Sequence, residues 1–363
     1  MMNSAMQNKI RGCFIGGAIG DALGYQIEFD RGIREKQVTR FKNNYGVISD
    51  DTQMTLFTAN GLLFAKTDSV VNNAPIDISN AVYHSYLDWL STQYKTDRKS
   101  SVSWIKTVPE LNVKRAPGNT CLSAISSKKK GTLSWKINNS KGCGSVMRIA
   151  PCGIFEKDPD KAGMLAAECA AITHGNKVGL ISSYVCAAMI NILIYQSVSI
   201  ENALNSSLNL VESHSDIFYE PPKGFFGQTP MAEFMNLIDR AVYLSKEPLF
   251  DVDCIRMLGE GWTADEALAI AIYSCLKYQN SFEDAVVCAV NHDGDSDSTG
   301  AIAGNIIGAS LGVSNISQYY VDNVELKDIT IEIADDMYVA TTDEQLMNSA
   351  TWIKKYINCE IVK

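Results

Sequence analysis

The sequence predicts an all-α protein, and three observations support this fold class. Apolar residues recur at helical spacing in many segments, and the strict alternation typical of strands is hard to find. Ala-rich segments are also separated by short stretches rich in Gly, Pro, Asn and Ser. In chain order, the helical segments include MTLFTANGLLFA, ISNAVYHSYLDWL, KAGMLAAECAAITH, GLISSYVCAAMINILIYQ, ADEALAIAIYSCLKY and FEDAVVCAVNH.

The chain shows no sign of division into separate units. No tandem repeat, low-complexity tract or long linker interrupts the 363 residues. We therefore expect residues 1–363 to form a single domain. Residues 219–230, which are rich in Pro and Gly, are expected to form an insertion or lid-like loop.

The composition is that of a soluble globular protein, with 46% hydrophobic and 20% charged residues. A net charge of -9 argues against nucleic acid as a partner, because its capture needs a basic face. The ten cysteines include no CxxC pair and suit free thiols in a reducing cytoplasm. The apolar stretches 180–194 and 301–313 fall short of the roughly 20 residues of a membrane span. We therefore expect a cytoplasmic protein with no membrane partner.

The first predicted helix contains GCFIGGAIGDALG, in which glycine recurs at every fourth position from Gly12 to Gly24. This spacing places the glycines along one helical face, where another helix can approach closely. The alternative is a dinucleotide-binding loop. That loop needs a preceding strand and the order G-x-G-x-x-G, and the segment has neither.

Two clusters combine carboxylates with hydroxyls where an apolar helix is predicted to begin. They are Ser49, Asp50 and Asp51 in ISDDTQM, and Asp295, Asp297 and Ser298 in NHDGDSDSTGAIAG. Helix capping accounts for one such residue per helix, but not for crowded carboxylates that repel one another. Oxygen ligands with no His or Cys at ligand spacing suit Mg²⁺, Mn²⁺ or Ca²⁺, and two remote segments can bracket a pair of cations. An EF-hand is disfavoured because its closing Glu is missing.

Five blocks follow one another along the chain: RGCFIGGAIGDALGYQIEF, ISDDTQMTLFTANGLL, RAPGNTCLSAI, GCGSVMRIAP with ITHGN, and NHDGDSDSTGAIAGNIIGA. Taken together, they resemble the ADP-ribosylglycohydrolase family, which includes dinitrogenase-reductase-activating glycohydrolase and ADP-ribosylarginine hydrolase. The resemblance implies a compact single-domain helical fold with a binuclear metal site. It also implies an enzyme that hydrolyses the N- or O-glycosidic bond between ADP-ribose and a protein side chain.

The resemblance also implies which residues act at the metal centre. Carried over by position, the metal ligands are Ser49, Asp50, Asp51, Asp295, Asp297 and Ser298. We expect two Mg²⁺ ions, with Mn²⁺ as the alternative, and we expect Asp293 to lie outside the coordination sphere. Glycoside cleavage generally uses a carboxylate to activate water or to protonate the leaving group. Glu28, Asp51 and Asp295 are the candidates for this catalytic role.

Further positions are implied to bind the substrate. By analogy, the diphosphate contacts Ser140, Lys141 and Gly142 in the Gly-rich segment NNSKGCGSVMR, and the nucleotide cleft includes Gly118, Asn119 and Thr120 of RAPGNT. His174, in AAITHGN, aligns with a family histidine near the ADP-ribose, although a histidine at a helix end is commonly structural. Cys143 stands where some relatives have Asn. His292 is interpreted as a surface-loop residue, with orientation of a metal ligand as the alternative.

The favoured function is metal-dependent hydrolysis that reverses mono-ADP-ribosylation, with arginine as the favoured acceptor by analogy. The expected partner is an ADP-ribosylated protein. A second hypothesis is an immunity or regulatory protein that binds and occludes an ADP-ribosyltransferase, with or without hydrolase activity. The acidic clusters alone would also permit a two-metal phosphoesterase, which the Gly-rich blocks and the absence of a phosphatase-type set of histidines disfavour.

Overall fold

The computed structural model describes residues 5–30, 37–222 and 227–359, and within these ranges it contains sixteen α-helices and no β-strand. The helices are α1 (Ala5–Tyr25), α2 (Asp50–Asn72), α3 (Ile78–Tyr94), α4 (Asn119–Ser126), α5 (Ala150–Phe155), α6 (Pro159–Ala171), α7 (Lys177–Gln196), α8 (Ile200–Glu212), α9 (Pro230–Leu244), α10 (Asp251–Leu258), α11 (Ala264–Lys277), α12 (Phe282–Val290), α13 (Ser296–Leu311), α14 (Gln318–Asn323), α15 (Lys327–Thr342) and α16 (Ala350–Tyr356). The predicted all-α class is confirmed.

Helices α1 and α13 form an antiparallel pair that is joined along a seam of glycines. The facing pairs are Gly12 with Gly308, Gly16 with Gly304, and Gly20 with Gly300. A Cβ atom at Gly20 would lie 1.9 Å from the carbonyl oxygen of Gly300, which no side chain could tolerate without moving the backbone. The predicted packing role of these glycines is confirmed. The Gly-rich segment is continuous helix, so it is not a strand-loop-helix nucleotide motif.

Helix α7 lies in the core and packs against α5, α6, α8 and α13. The helix has 20 residues, and by length and composition alone it could cross a membrane. It is longer than the apolar stretch 180–194 that was noted in the sequence. In the structure, 94% of its most apolar window is buried inside the molecule. The helix therefore contributes an apolar surface on all sides to the hydrophobic core, which is the usual place for such a helix.

Helices from distant parts of the chain pack together, since α1, α7 and α13 contact one another. The single-domain organisation itself stays a prediction. The same is true of the lid-like loop expected at residues 219–230, because its residues 223–226 lie outside the described residues. The described parts of that stretch include Tyr219, which is exposed, and Pro230, which begins α9.

Candidate active site

Three chain segments meet at one end of the glycine seam and open into a cleft. The turn that follows α1 carries Glu28, while α2 and α13 direct their first turns at the same space. The cleft is lined by Glu28, Asp50, Asp51, Ala116, Gly118, Asn119, Thr120, Cys121, Gly142, Cys143, Gly144, Met147, His174, Trp262, Asp295, Asp297 and Ser298. The seam explains this convergence, because Gly24 near the end of α1 touches the backbone of Ser296 at the start of α13.

Five carboxylates share this cleft. Glu28, Asp295 and Asp297 each offer an oxygen, and these oxygens all lie within 4.8 Å of one another. Asp50 and Asp51 line the same space and are almost completely buried. The two acidic clusters predicted from remote parts of the sequence are therefore brought together, with Glu28 beside them.

Several of these carboxylate oxygens are buried without a hydrogen-bond partner. They are Oε2 of Glu28, Oδ2 of Asp51 and Oδ2 of Asp295. A buried oxygen left unpaired costs stability, and the donors of the surrounding protein do not reach these three atoms. Carboxylate oxygens are the ligand type that Mg²⁺, Mn²⁺ and Ca²⁺ prefer, and those of Glu28, Asp295 and Asp297 lie close enough together to share one ion. The residues present therefore fit a divalent cation.

The electrostatics of the cleft agree with that fit. Burial, and then the charge of Asp297, raise the pKa of Glu28 to about 9. The same two causes raise the pKa values of Asp50, Asp51 and Asp295 well above their usual range. Crowded, desolvated carboxylates resist ionisation. A bound cation would supply the opposite charge that these groups lack.

Asp21 supports this cluster and was not singled out from the sequence. It is fully buried within α1, and its carboxylate accepts hydrogen bonds from the backbone N–H groups of Ser49, at 2.9 Å, and Thr52, at 3.0 Å. The Thr52 hydroxyl donates a further bond to it. Asp21 thus fixes the start of α2 to α1. A single acid within the apolar run GGAIGDALG was the available signal.

Helix capping accounts for one residue of the first cluster and for none of the second. Ser49 is the N-cap of α2, and its side chain accepts a bond from the Asp51 N–H at 3.2 Å. Asp295 occupies the corresponding position of α13 without a side-chain capping bond. Ser49 is buried behind the cleft, whereas Ser298 lines it. Asp293 is exposed and does not line the cleft, in keeping with its expected place outside the cluster.

A short connection between α10 and α11 ties the two sides of the cleft together. The carbonyl of Glu260 accepts the Asp295 N–H at 2.8 Å, and the carbonyl of Trp262 accepts the Cys143 N–H at 3.0 Å. Gly142 also forms an isolated β-bridge with Thr263. Trp262 lines the cleft and was not identified from the sequence, because only the folded chain places this connection beside the acidic cluster.

The predicted substrate positions divide into two groups. Gly118, Asn119, Thr120, Gly142 and His174 line the cleft, and the Gly118 N–H donates to Oδ2 of Asp50 at 3.3 Å. The other group, Ser140 and Lys141, lies next to the cleft without lining it. The Lys141 ammonium pairs instead with Glu233 at 2.7 Å and with Asp265 at 3.3 Å.

His174 is a buried, neutral residue of the cleft wall. Burial, and then the positive charge of Arg148, lower its pKa to about 3. Its Nδ1 lies 2.8 Å from the Thr173 hydroxyl, which in turn contacts the fully buried Arg148. His292 is also buried, with Nε2 2.9 Å from the Thr299 hydroxyl, so its interpretation as a surface-loop residue was wrong.

Comparisons with known proteins agree with this architecture. Residues 2–346 match the ADP-ribosylglycohydrolase family model. The chain is 23% identical over 343 residues to the ADP-ribosyl-[dinitrogen reductase] glycohydrolase of Rhodospirillum rubrum, covering 90% of this chain and 94% of that protein. It is 24% identical over 340 residues to the ADP-ribosylarginine hydrolase Tri1 of Pseudomonas putida, covering 91% of this chain and 78% of that protein.

A solved structure titled ADP-ribosylglycohydrolase-related protein complex shares the fold. Its TM-score is 0.61 at 21% identity, with 93% of this chain and 99% of that chain covered. The resemblance seen in the five sequence blocks is thereby confirmed, and the chain belongs to the ADP-ribosylglycohydrolase family of glycosidic-bond hydrolases.

Proposed function

We propose that this protein removes ADP-ribose from arginine side chains of modified proteins, in a reaction that requires two divalent cations, Mg²⁺ or Mn²⁺. The observation that carries the proposal is the convergence of buried, unpaired carboxylate oxygens on one cleft. Arginine is supported by the relative that is named an ADP-ribosylarginine hydrolase. The wider class of reaction follows from the family.

Asp50, Asp51, Asp295 and Asp297 would hold the cations, with the hydroxyl of Ser298 completing the set in the cleft. The hydroxyl of Ser49, which the resemblance also implies as a ligand, caps α2 and does not line the cleft. Bound there, the cations would supply Lewis acidity and an activated water. The chain itself orients these carboxylates. Asp21 fixes the first cluster to α1, and the Glu260 carbonyl fixes the second.

We propose Glu28 as the group that transfers the proton, with Asp51 and Asp295 as the other candidates. Its Oε2 atom is buried within the cleft wall and has no hydrogen-bond partner, yet the residue remains partly exposed. It can therefore exchange a proton with the cleft, whereas Asp51 and Asp295 are almost completely buried. Protonation of the leaving group is a usual step in glycoside cleavage.

The opposite wall of the cleft would hold the diphosphate. Gly118 and Gly142 bring backbone close to the cleft, and Asn119, Thr120 and His174 add polar side chains. We assign Ser140 and Lys141 an indirect part in this site. The hydroxyl oxygens of Ser140 and Thr120 lie 3.2 Å apart. The ion pairs of Lys141 anchor the loop that contains Gly142 to α9 and α11.

The test is release of free ADP-ribose from an arginine-ADP-ribosylated protein in Mg²⁺. We expect the wild type to release it, and Asp50→Ala and Asp297→Ala to lose this activity. Asp293→Ala is the matched control, because that carboxylate is exposed outside the cluster. A serine-ADP-ribosylated substrate measures the acceptor preference. If the wild type releases nothing and instead binds a transferase tightly, the protein is the occluding regulator.

We also propose a cytoplasmic location. All ten cysteines are free thiols in the structure, and eight of them are buried. Such thiols persist in a reducing compartment, whereas oxidising compartments favour disulfides. Fractionation of cells that produce the tagged protein, with compartment markers, tests the location directly.

A further inference from the structure

Arg148 is a fully buried cation behind the wall of the cleft. Among the described residues, its guanidinium donates to two sulfurs, those of Met54 and Cys121, and to the Thr173 hydroxyl, and it pairs with no carboxylate. The guanidinium carbon lies 4.6 Å from the centre of the Tyr86 ring. A buried charge that lacks an opposite charge lowers stability. The burial of this arginine therefore indicates a function for its charge and its donors.

Two residues that follow α6 connect Arg148 to the cleft. Its Nη2 atom donates to the Thr173 hydroxyl, and this hydroxyl lies 2.8 Å from Nδ1 of His174. The main chain around them is also fixed. The side-chain amide of Asn138 donates to the Thr173 carbonyl at 2.7 Å and accepts the Gly175 N–H at 3.1 Å. The imidazole ring is therefore held both by its backbone and by its side-chain partner.

The chemistry of the three side chains sets the direction of these hydrogen bonds. A guanidinium has donors only, so the Thr173 oxygen accepts from Arg148. The hydroxyl proton of Thr173 then has Nδ1 of His174 as its acceptor, which leaves the ring proton on Nε2. The reverse assignment would give the Thr173 oxygen two donors and deprive its own proton of this acceptor. A neutral ring agrees with the pKa of His174, which burial and then the charge of Arg148 lower to about 3.

The Nε2 edge of His174 faces the glycine loop of the cleft. A Cβ atom added to Gly142 or to Gly144 would lie 3.4 Å from Nε2. All three residues line the cleft. Within the described part of the chain, the side-chain hydrogen bond of His174 is made through Nδ1, and Nε2 makes none. The Nε2–H group is therefore a donor that a ligand in the cleft can use.

We propose that Arg148 is a positioning residue of this site, which acts through Thr173 to keep the His174 proton on Nε2, where the N–H donates to a diphosphate oxygen of ADP-ribose. Arg148 itself does not touch the substrate. Its positive charge lies behind the wall that faces the negative diphosphate, and a charge in a buried position is only weakly screened. The inference rests on the proposed function, in which this wall holds the diphosphate.

The first experiment is NMR of the full-length protein with ¹⁵N-labelled histidine, because protonated and unprotonated ring nitrogens have widely separated ¹⁵N shifts. The chain has four histidines, and the signals of His174 are those that disappear in His174→Gln. We expect the proton on Nε2 in the wild type at neutral pH. In Thr173→Val the Nδ1 signal should move downfield, because this nitrogen loses its donor. Thr173→Ser keeps the hydroxyl and should restore the wild-type shift.

The second experiment is calorimetric titration with ADP-ribose in Mg²⁺. His174→Ala should bind about 10–100-fold more weakly, the range for one hydrogen bond to a charged group. Thr173→Val should bind about 5-fold more weakly, and Thr173→Ser should bind as the wild type does. Thr67→Val is the matched control. It removes a fully buried hydroxyl that accepts the Trp352 indole N–H at 2.8 Å and lies outside the cleft, so the His174 spectrum and the ADP-ribose affinity should both be unchanged.

The outcomes separate failure of this inference from failure of the proposed function. If the wild type binds ADP-ribose but the His174 proton lies on Nδ1, the inference is refuted and the proposed function stands. The same holds if the Nδ1 signal of folded Thr173→Val is unchanged. If the spectra are as expected but ADP-ribose does not bind, the proposed function is refuted, and the donor to the diphosphate with it. The wild-type spectrum alone can refute the inference, so the test remains valid even if a buried variant does not fold.

Discussion

The glycine seam between α1 and α13 makes a quantitative prediction for Gly304→Ala. The added Cβ would lie 2.0 Å from the carbonyl oxygen of Gly16 and 2.5 Å from its carbonyl carbon. Both neighbours are backbone atoms, which cannot rotate away as a side chain could. To relieve this clash, the two helices must move apart locally, on the order of 1 Å, in a densely packed interior. Because α13 carries Asp297, the separation would also displace the acidic cluster.

The expected loss of stability is the difference between two effects. Overpacking costs about 1–3 kcal/mol and occasionally more, and contact with fixed backbone favours the upper end of this range. The higher intrinsic helix propensity of Ala relative to Gly offsets about 1 kcal/mol of this cost. We therefore expect the free energy of unfolding to fall by about 2 kcal/mol or more, with weaker Mg²⁺ binding.

Urea denaturation with and without Mg²⁺ measures both effects. Gly118→Ala is the matched control for stability, because a Cβ at that position would meet nothing within 4 Å. Its unfolding free energy should stay within about 0.5 kcal/mol of the wild type. If Gly304→Ala also stays within that limit, the helices are not held in close contact at the seam, and the reasoning is refuted.

Three further predictions concern the acidic cluster. Without divalent cations, thermal stability should fall as the pH rises from about 4.5 to about 9. Burial and then the charge of Asp297 raise the pKa of Glu28 from 4.5 to about 9, so the folded state binds a proton that the unfolded state has lost in this pH range. Thermal melts in EDTA across this range test the fall, and saturating Mg²⁺ should reduce it. In EDTA, Asp297→Asn should melt no lower than the wild type, because it removes a charge that repels its neighbours. It should also lose the stabilisation by Mg²⁺, which the control Asp293→Asn should retain. A lower melting temperature of Asp297→Asn in EDTA would contradict the like-charge argument. Ser49→Ala should lose about 1 kcal/mol in urea denaturation, because α2 loses its capping bond, and an unchanged midpoint would show that the bond contributes nothing.

Much of the fold and of the cluster could be predicted because the relevant signals are local in the sequence. The fourfold spacing of Gly12 to Gly24 indicates a close helix contact regardless of which helix is the partner. The pairs Asp50 with Asp51 and Asp295 with Asp297 predict a cluster of carboxylates, and the structure brings both pairs into one cleft. These patterns depend on residue type and spacing, which are visible without coordinates.

The remaining features depend on contacts between distant segments. Asp21 is a support of the site only because the start of α2 lies against α1, and nothing in its own helix indicates that neighbour. Trp262 lines the cleft because a connection between two other helices crosses it. The Lys141 ammonium was expected near the diphosphate, but it forms ion pairs with Glu233 and Asp265, which are remote in sequence.

The seam between α1 and α13 also has a consequence for synthesis of the chain. The two halves of the acidic cluster are separated by roughly 200 residues or more, which a ribosome takes on the order of 10–40 s to add at about 5–20 residues per second. Throughout that interval the glycine face of α1 has no partner, and the first cluster lacks its second half. At the proposed metal centre, divalent cations would therefore not stabilise the nascent chain, and they would act only after the last third of the protein has emerged and docked.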